Sequence, residues 1–205
     1  MKKILVVGAV LAALGSSSAI ASSDVNNSAA SGSSASANLD FRIVIPSVLF
    51  LQVGQSAAVM TDDATVSLLD FTVPAANVAN GNSVTATGGD VNANTVNVRL
   101  FSNAGSVNLA ATGAATGLTN GTDDIPWSEL SVIDGAGAGG GGFLGETIAH
   151  PTINAPAVMI PATNKVIRKH AVWSFTYRNT QPYAAGTYGG VNTNNSRVTY
   201  TVSLP

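Results

Sequence analysis

The side chains able to do chemistry are few and scattered. His150 and His170 are the two histidines, and the chain has no Cys. A zinc site needs three or four ligands at set spacing, and neither His has such neighbours. Without thiols there is no disulfide framework, thiolate metal site or Cys nucleophile. Asp62-Asp63 and Asp123-Asp124 are adjacent carboxylates, but neighbours on extended chain point to opposite sides and clamp a cation poorly. Asp90-Val91-Asn92-Ala93-Asn94 opens like a calcium loop. Thr95 then stands where Gly is required, and Phe101 where the bidentate Glu belongs. The plainer reading is an Asx turn feeding a strand, with weak calcium binding by the Asp-rich loops left open.

Two glycine motifs also fall short. Gly135, Gly137 and Gly140 satisfy G-x-G-x-x-G. A dinucleotide fold then requires a helix and an acidic residue about twenty positions on, and Pro151 ends any helix within a few turns. Gly54-Gln55-Ser56-Ala57-Ala58 lacks the last glycine of a nucleophile elbow. No residue is identified as catalytic or metal-binding, no cofactor is expected, and the chain reads as a non-enzyme.

Composition narrows the class further. Only 10% of the 205 residues are charged, against 45% hydrophobic, and the formal net charge is −2. An average domain carries roughly 25% charge. Disordered chains show the opposite balance, and no Lys/Arg cluster exists to neutralise the phosphates of a nucleic acid.

The N-terminus predicts export. Met1-Lys2-Lys3 precedes an apolar run from Ile4 to Leu14, then small residues ending in Ala19-Ile20-Ala21. This is the layout of a secretory signal peptide over residues 1–21. Its apolar run is too short to span a bilayer, and no later run reaches 18 residues, so no integral helical membrane protein is expected. Cleavage removes Lys2 and Lys3 from the 9 basic residues and none of the 11 acidic ones, leaving a formal −4.

Residues 22–38, SSDVNNSAASGSSASAN, have too little apolar surface to order themselves and read as a flexible leader. From Leu39 to the C-terminus the pattern is that of strands. Apolar runs occur at Val48–Val53, Ala64–Val73, Ser83–Ala86, Thr95–Phe101, Ser106–Ala110 and Trp127–Ile133, then at Ala157–Ile160, Val166–Tyr177 and Arg197–Leu204. Asn/Gly turn clusters separate many of them, and no window shows helical periodicity. Residues 39–205 are therefore expected to form one all-β domain, an antiparallel β-sandwich of Ig-like or Greek-key type. Asp134–Gly142 reads as an exposed mobile loop or a crossover.

Aromatic residues supply one candidate surface. Trp173, Phe175 and Tyr177 share one face of a strand, the arrangement of a core more often than a platform. Trp127, Tyr183 and Tyr188 lie in or beside loops and are the candidate ligand contacts.

The C-terminal Tyr183-Ala-Ala-Gly-Thr-Tyr188 followed by Arg197–Pro205 resembles the A-G-T-Y turn and last strand that close bacterial fimbrial, pilin-like subunits. The resemblance covers about 23 residues; the Asn-rich Val191–Ser196 and the absence of Cys depart from it. It implies a cell-surface structural or adhesive subunit that forms homo-oligomers or filaments of like subunits, with a periplasmic chaperone as a partner. The N-terminus fits independently. Leu39, Phe41, Ile43 and Ile45 alternate before Pro46 and suit a donor strand lent to a neighbour's sheet. The alternative for residues 39–45 is the first strand of the chain's own sandwich. The other function in view is a monomeric secreted or surface module binding glycan or protein. Extracellular or cell-surface residence is expected, with the periplasm as the alternative.

Overall fold

The computed structural model describes residues 23–27, 30–55, 60–91 and 93–205. The expected signal peptide, and Ser56–Ala58 of the incomplete elbow, lie outside the described residues. The chain divides into two compact units, Met1–Ile45 and Pro46–Pro205. The second unit begins at Pro46, which has no N–H to give to a ladder.

In the first unit no described residue belongs to a helix or strand. Ser36 N–H donates to Asp24 Oδ2 at 3.3 Å, and Ser33 N–H to the Ala30 carbonyl at 2.9 Å.

The second unit is an antiparallel β-sandwich. Its strands of three or more residues are β1 (Leu49–Val53), β2 (Thr95–Ser102), β3 (Val107–Thr112), β4 (Leu130–Ala136), β5 (Val158–Ile160), β6 (Ile167–Tyr177) and β7 (Thr199–Ser203). One sheet runs β1-β2-β6-β4, since β6 pairs β2 through Ile167–Ser174 and β4 through Ala171–Tyr177. The other runs β5-β3-β7. Leu144–Gly145 adds a short parallel pairing to β6.

Alternation makes the core. Along β2 every second residue is buried, so Val96, Val98 and Leu100 face inward while Thr95, Asn97, Arg99 and Phe101 face out. They pack on Val107 and Leu109 of β3, Ile160 of β5, and Ile167, Ala171, Trp173 and Phe175 of β6. Trp173 is fully buried, and its Nε1–H donates to the Ile148 carbonyl at 2.7 Å, so its one polar atom is satisfied.

Several expected strands are shorter than their apolar runs. Ala64–Val73 pairs as a strand only at Leu69–Asp70, and near its start the Thr65 N–H is taken by an Asx turn at Asp63. Trp127–Glu129 is a 3-10 turn after Pro126, and the strand starts at Leu130. Asp134–Gly142 departs most from expectation. Its first residues complete β4, and the next ones cover the outer face of the sheet. Gly137 packs against the His170 ring, where a Cβ would sit 2.5 Å from a ring carbon. Gly139 N–H donates to His170 Nδ1 at 3.1 Å. Gly139 to Gly142 all have positive φ, a run that side-chain-bearing residues rarely adopt. It returns Phe143 to a buried place between Phe50 (6.2 Å) and Phe101 (6.5 Å).

Candidate functional site

The segment Leu39–Ile45 lies outside every ladder. Leu39, Phe41, Ile43 and Ile45 are 69%, 85%, 84% and 77% exposed, the reverse of what their alternation would earn inside a sheet. Residues 39–45 carry no strand, and the first strand of the second unit is β1, beginning at Leu49.

Of the four edge strands, β4 and β5 among them, β1 and β7 offer places for an added strand. Among the described residues β1 pairs with β2 alone, and β7 with β3 alone. On the β2 side the Val48 carbonyl accepts from Asn103 N–H and Gly54 N–H donates to the Asn97 carbonyl. In an antiparallel ladder the direction alternates, so the N–H and C=O groups of Leu49, Leu51 and Val53 point to the open side. Leu51 and Val53, and Tyr200 and Val202 of β7, are only partly buried against the core. They leave apolar surface beside unused main-chain groups.

The candidate ligand contacts Trp127, Tyr183 and Tyr188 are all partly buried. Trp127 lies against Gly113, and its Nε1–H donates to the Ala114 carbonyl at 2.8 Å. Tyr183 and Tyr188 do meet, edge to face with centroids 6.5 Å apart. Tyr188 Oη donates to the Ala184 carbonyl at 3.0 Å. Both phenols are held above their ordinary pKa, by partial burial first. Glu129 and Tyr188 add to the effect at Tyr183, and Asp123 and Asp124 at Tyr188. Trp173, Phe175 and Tyr177 are core residues.

The titratable groups with chemical potential are used structurally. The Asp90 carboxylate accepts from Asn97 N–H (2.8 Å) and Nδ2 (2.9 Å), anchoring the turn to β2. Asn97 Oδ1 meets His170 Nε2 at 2.7 Å. His170 Nδ1 meets both the N–H (3.1 Å) and the carbonyl (3.3 Å) of Gly139, so both ring nitrogens are engaged. Glu129 is buried and accepts from Thr180 Oγ1 at 2.6 Å. Burial and the Glu129 charge push Tyr177 up to about 12. Among the described residues no group of three or more His, Asp or Glu converges as metal ligands, and no helix is long and apolar enough to cross a membrane.

His150 is the residue whose environment the sequence gives no hint of. Its ring sits edge-on to Trp173 (4.7 Å) and Phe175 (5.5 Å) of β6 and to Tyr200 (5.6 Å) of β7, joining the two sheets. Nε2 lies 2.8 Å from Tyr200 Oη. Burial lowers its pKa from 6.5 to about 4, against an opposing pull from Asp134. Asn103 is the other unforeseen residue. It reads as part of an Asn-Ala-Gly turn, yet its side chain binds the start of the body, as described below.

In comparisons with family models, curated proteins and solved structures, no match to the chain is found.

Proposed function

We propose that the chain is an exported structural subunit of a fimbria, pilus-like filament or extracellular matrix, assembling by β-strand exchange. The observation that carries the reading is the exposure of Leu39, Phe41, Ile43 and Ile45 outside every ladder. Burying each such side chain is worth about 1.5–3 kcal/mol, and part of that gain is spent in ordering the segment. The open edges of β1 and β7 are the proposed receivers in the next copy. Donor and receiver are different surfaces, so each contact leaves another pair free and the assembly propagates instead of closing. The proposed place is the cell surface or beyond it, reached after removal of residues 1–21, with a periplasmic chaperone covering the segment beforehand.

The test compares the chain from Ser22 with one lacking residues 22–45, by size exclusion and negative-stain microscopy. Ladders or fibres from the longer chain alone, with the shorter one folded, are expected. Folded monomers in both overturn the reading. The second reading, a glycan- or protein-binding module contacting its ligand through Tyr183 and Tyr188, would then take its place; the edge-on pair of those half-exposed rings favours it.

A further inference from the structure

The same alternation that suits residues 39–45 to a neighbour suits them to their own β1. A hairpin with Pro46–Val48 as its loop would set Ile45 opposite Leu49, Ile43 opposite Leu51 and Phe41 opposite Val53. Phe41, Ile43 and Ile45 would fall on the core face with Leu51 and Val53, and the outward N–H and C=O groups of β1 would be used. Only three residues separate the two strands, so the effective concentration of the internal partner is in the millimolar range or above. A subunit at micromolar concentration would cap itself before meeting another copy. The hairpin is nevertheless absent: Leu39–Ile45 carries no strand.

Two features oppose it. A three-residue hairpin loop usually ends in a left-handed residue, and Val48, being β-branched, is a poor occupant of that conformation. The second is Asn103, just past the end of β2. Its Oδ1 accepts from Val48 N–H at 2.7 Å, and its Nδ2 donates to the Pro46 carbonyl at 2.7 Å. Its own N–H donates to the Val48 carbonyl at 3.3 Å. The would-be loop is thus bound from the β2 side at three main-chain groups. Asn103 is itself held in a tight turn, where Ser102 Oγ donates to the Gly105 carbonyl at 3.0 Å and accepts from Ala104 N–H at 3.3 Å.

We propose that Asn103 is a clamp on Pro46–Val48 that keeps residues 39–45 from pairing with their own β1 and so reserves both for other copies. This rests on the strand-exchange reading for its purpose, but the clamp has a consequence of its own in the isolated monomer.

Two full-length variants test it. Asn103→Ala removes the clamp; the double variant Ser47→Asp, Val48→Gly leaves Asn103 in place and installs a Pro-Asp-Gly loop that favours the hairpin. Amide hydrogen exchange is read under dilute, monomeric conditions, and assembly is read by light scattering across a concentration series. Asn103→Ala is expected to gain at least tenfold protection at the Leu49, Leu51 and Val53 amides, and the double variant, whose loop favours the hairpin against the clamp, supplies the signature of the paired state. Their assembly midpoint is expected to rise at least tenfold, because only the unpaired fraction is competent. Unchanged amide exchange in a folded Asn103→Ala chain overturns the clamp, whatever its assembly and whatever the loop variant does. If Asn103→Ala unfolds, judged by its thermal melt, Asn103→Asp, which loses only the donor to the Pro46 carbonyl, is read in its place by the same criterion. If the parent chain never assembles, strand exchange is what fails, and the amide protection still decides the clamp.

Discussion

Thr95–Ser102 and Leu39–Ile45 carry the same pattern, an apolar residue at every second position, and end in opposite situations. In β2 the apolar side chains are buried between two sheets, and strands lie on both sides of the backbone. In the N-terminal segment they face solvent without a ladder. The difference is supply of partners. A strand is stable when neighbours use its main-chain groups and a second layer covers its apolar face. β2 finds both within the chain, while Leu39–Ile45 enters no ladder. Alternation therefore measures capacity to enter a sheet, and the rest of the fold decides which sheet.

The largest effect that should separate the two regions is in the core. Trp173→Ala removes the ring on which β6 packs against Ile148 and Tyr200, and should cost about 3–5 kcal/mol of stability, measured by denaturant unfolding. Phe41→Asp, changing an equally apolar residue, should leave that unfolding curve within about 0.5 kcal/mol of the parent. It should instead weaken assembly by about 2–3 kcal/mol, roughly 30- to 150-fold, in a sedimentation series. A Phe41→Asp chain that unfolds readily would mean that the segment belongs to the body.

Acid should act on the body through His150. The ring is neutral when folded, with a pKa near 4, while unfolded chains protonate near 6.5. Its contribution is complete above pH 6.5, declines as pH falls through that window and is gone below about 4. The loss should reach about 2 kcal/mol, since solvent still reaches part of the ring. His150→Phe should flatten this part of the pH–stability curve, and a slope equal to the parent's would exclude His150 as its source. The smallest effect is expected at the Lys169–Glu146 ion pair, 2.7 Å long but partly exposed. Glu146→Gln should change the melting free energy by less than about 1 kcal/mol.

How far these features could be read in advance varies with the range of the interaction behind them. The Thr95–Phe101 and Val166–Tyr177 strands, and the inward face shared by Trp173, Phe175 and Tyr177, follow from local periodicity. Two-residue ladders such as Leu69–Asp70 with Thr87–Gly88 do not, since nothing in Ala64–Val73 says how much of it finds a partner. The glycine-rich stretch from Asp134 reads as a loose loop because its composition is loose. Its order comes from Phe143 and His170, one past its end and the other on a strand paired far along the chain. Of the candidate site, the apolar alternation of Leu39–Ile45 was visible; Asn103, 55 residues from Val48, was not.

The sequence by itself determined that this protein is built of strands. Period-two apolar runs punctuated by Asn and Gly, with no helical spacing, admit little else. It also set a low-charge surface, and an alternating segment ahead of Pro46 that suits a sheet. Tertiary structure alone decided which edges stay open, that His150 lies between the sheets, and that the loop before β1 is bound by Asn103. These depend on contacts between residues distant in sequence, whose closure is settled by the whole set of strand pairings at once and not by any one window of residues.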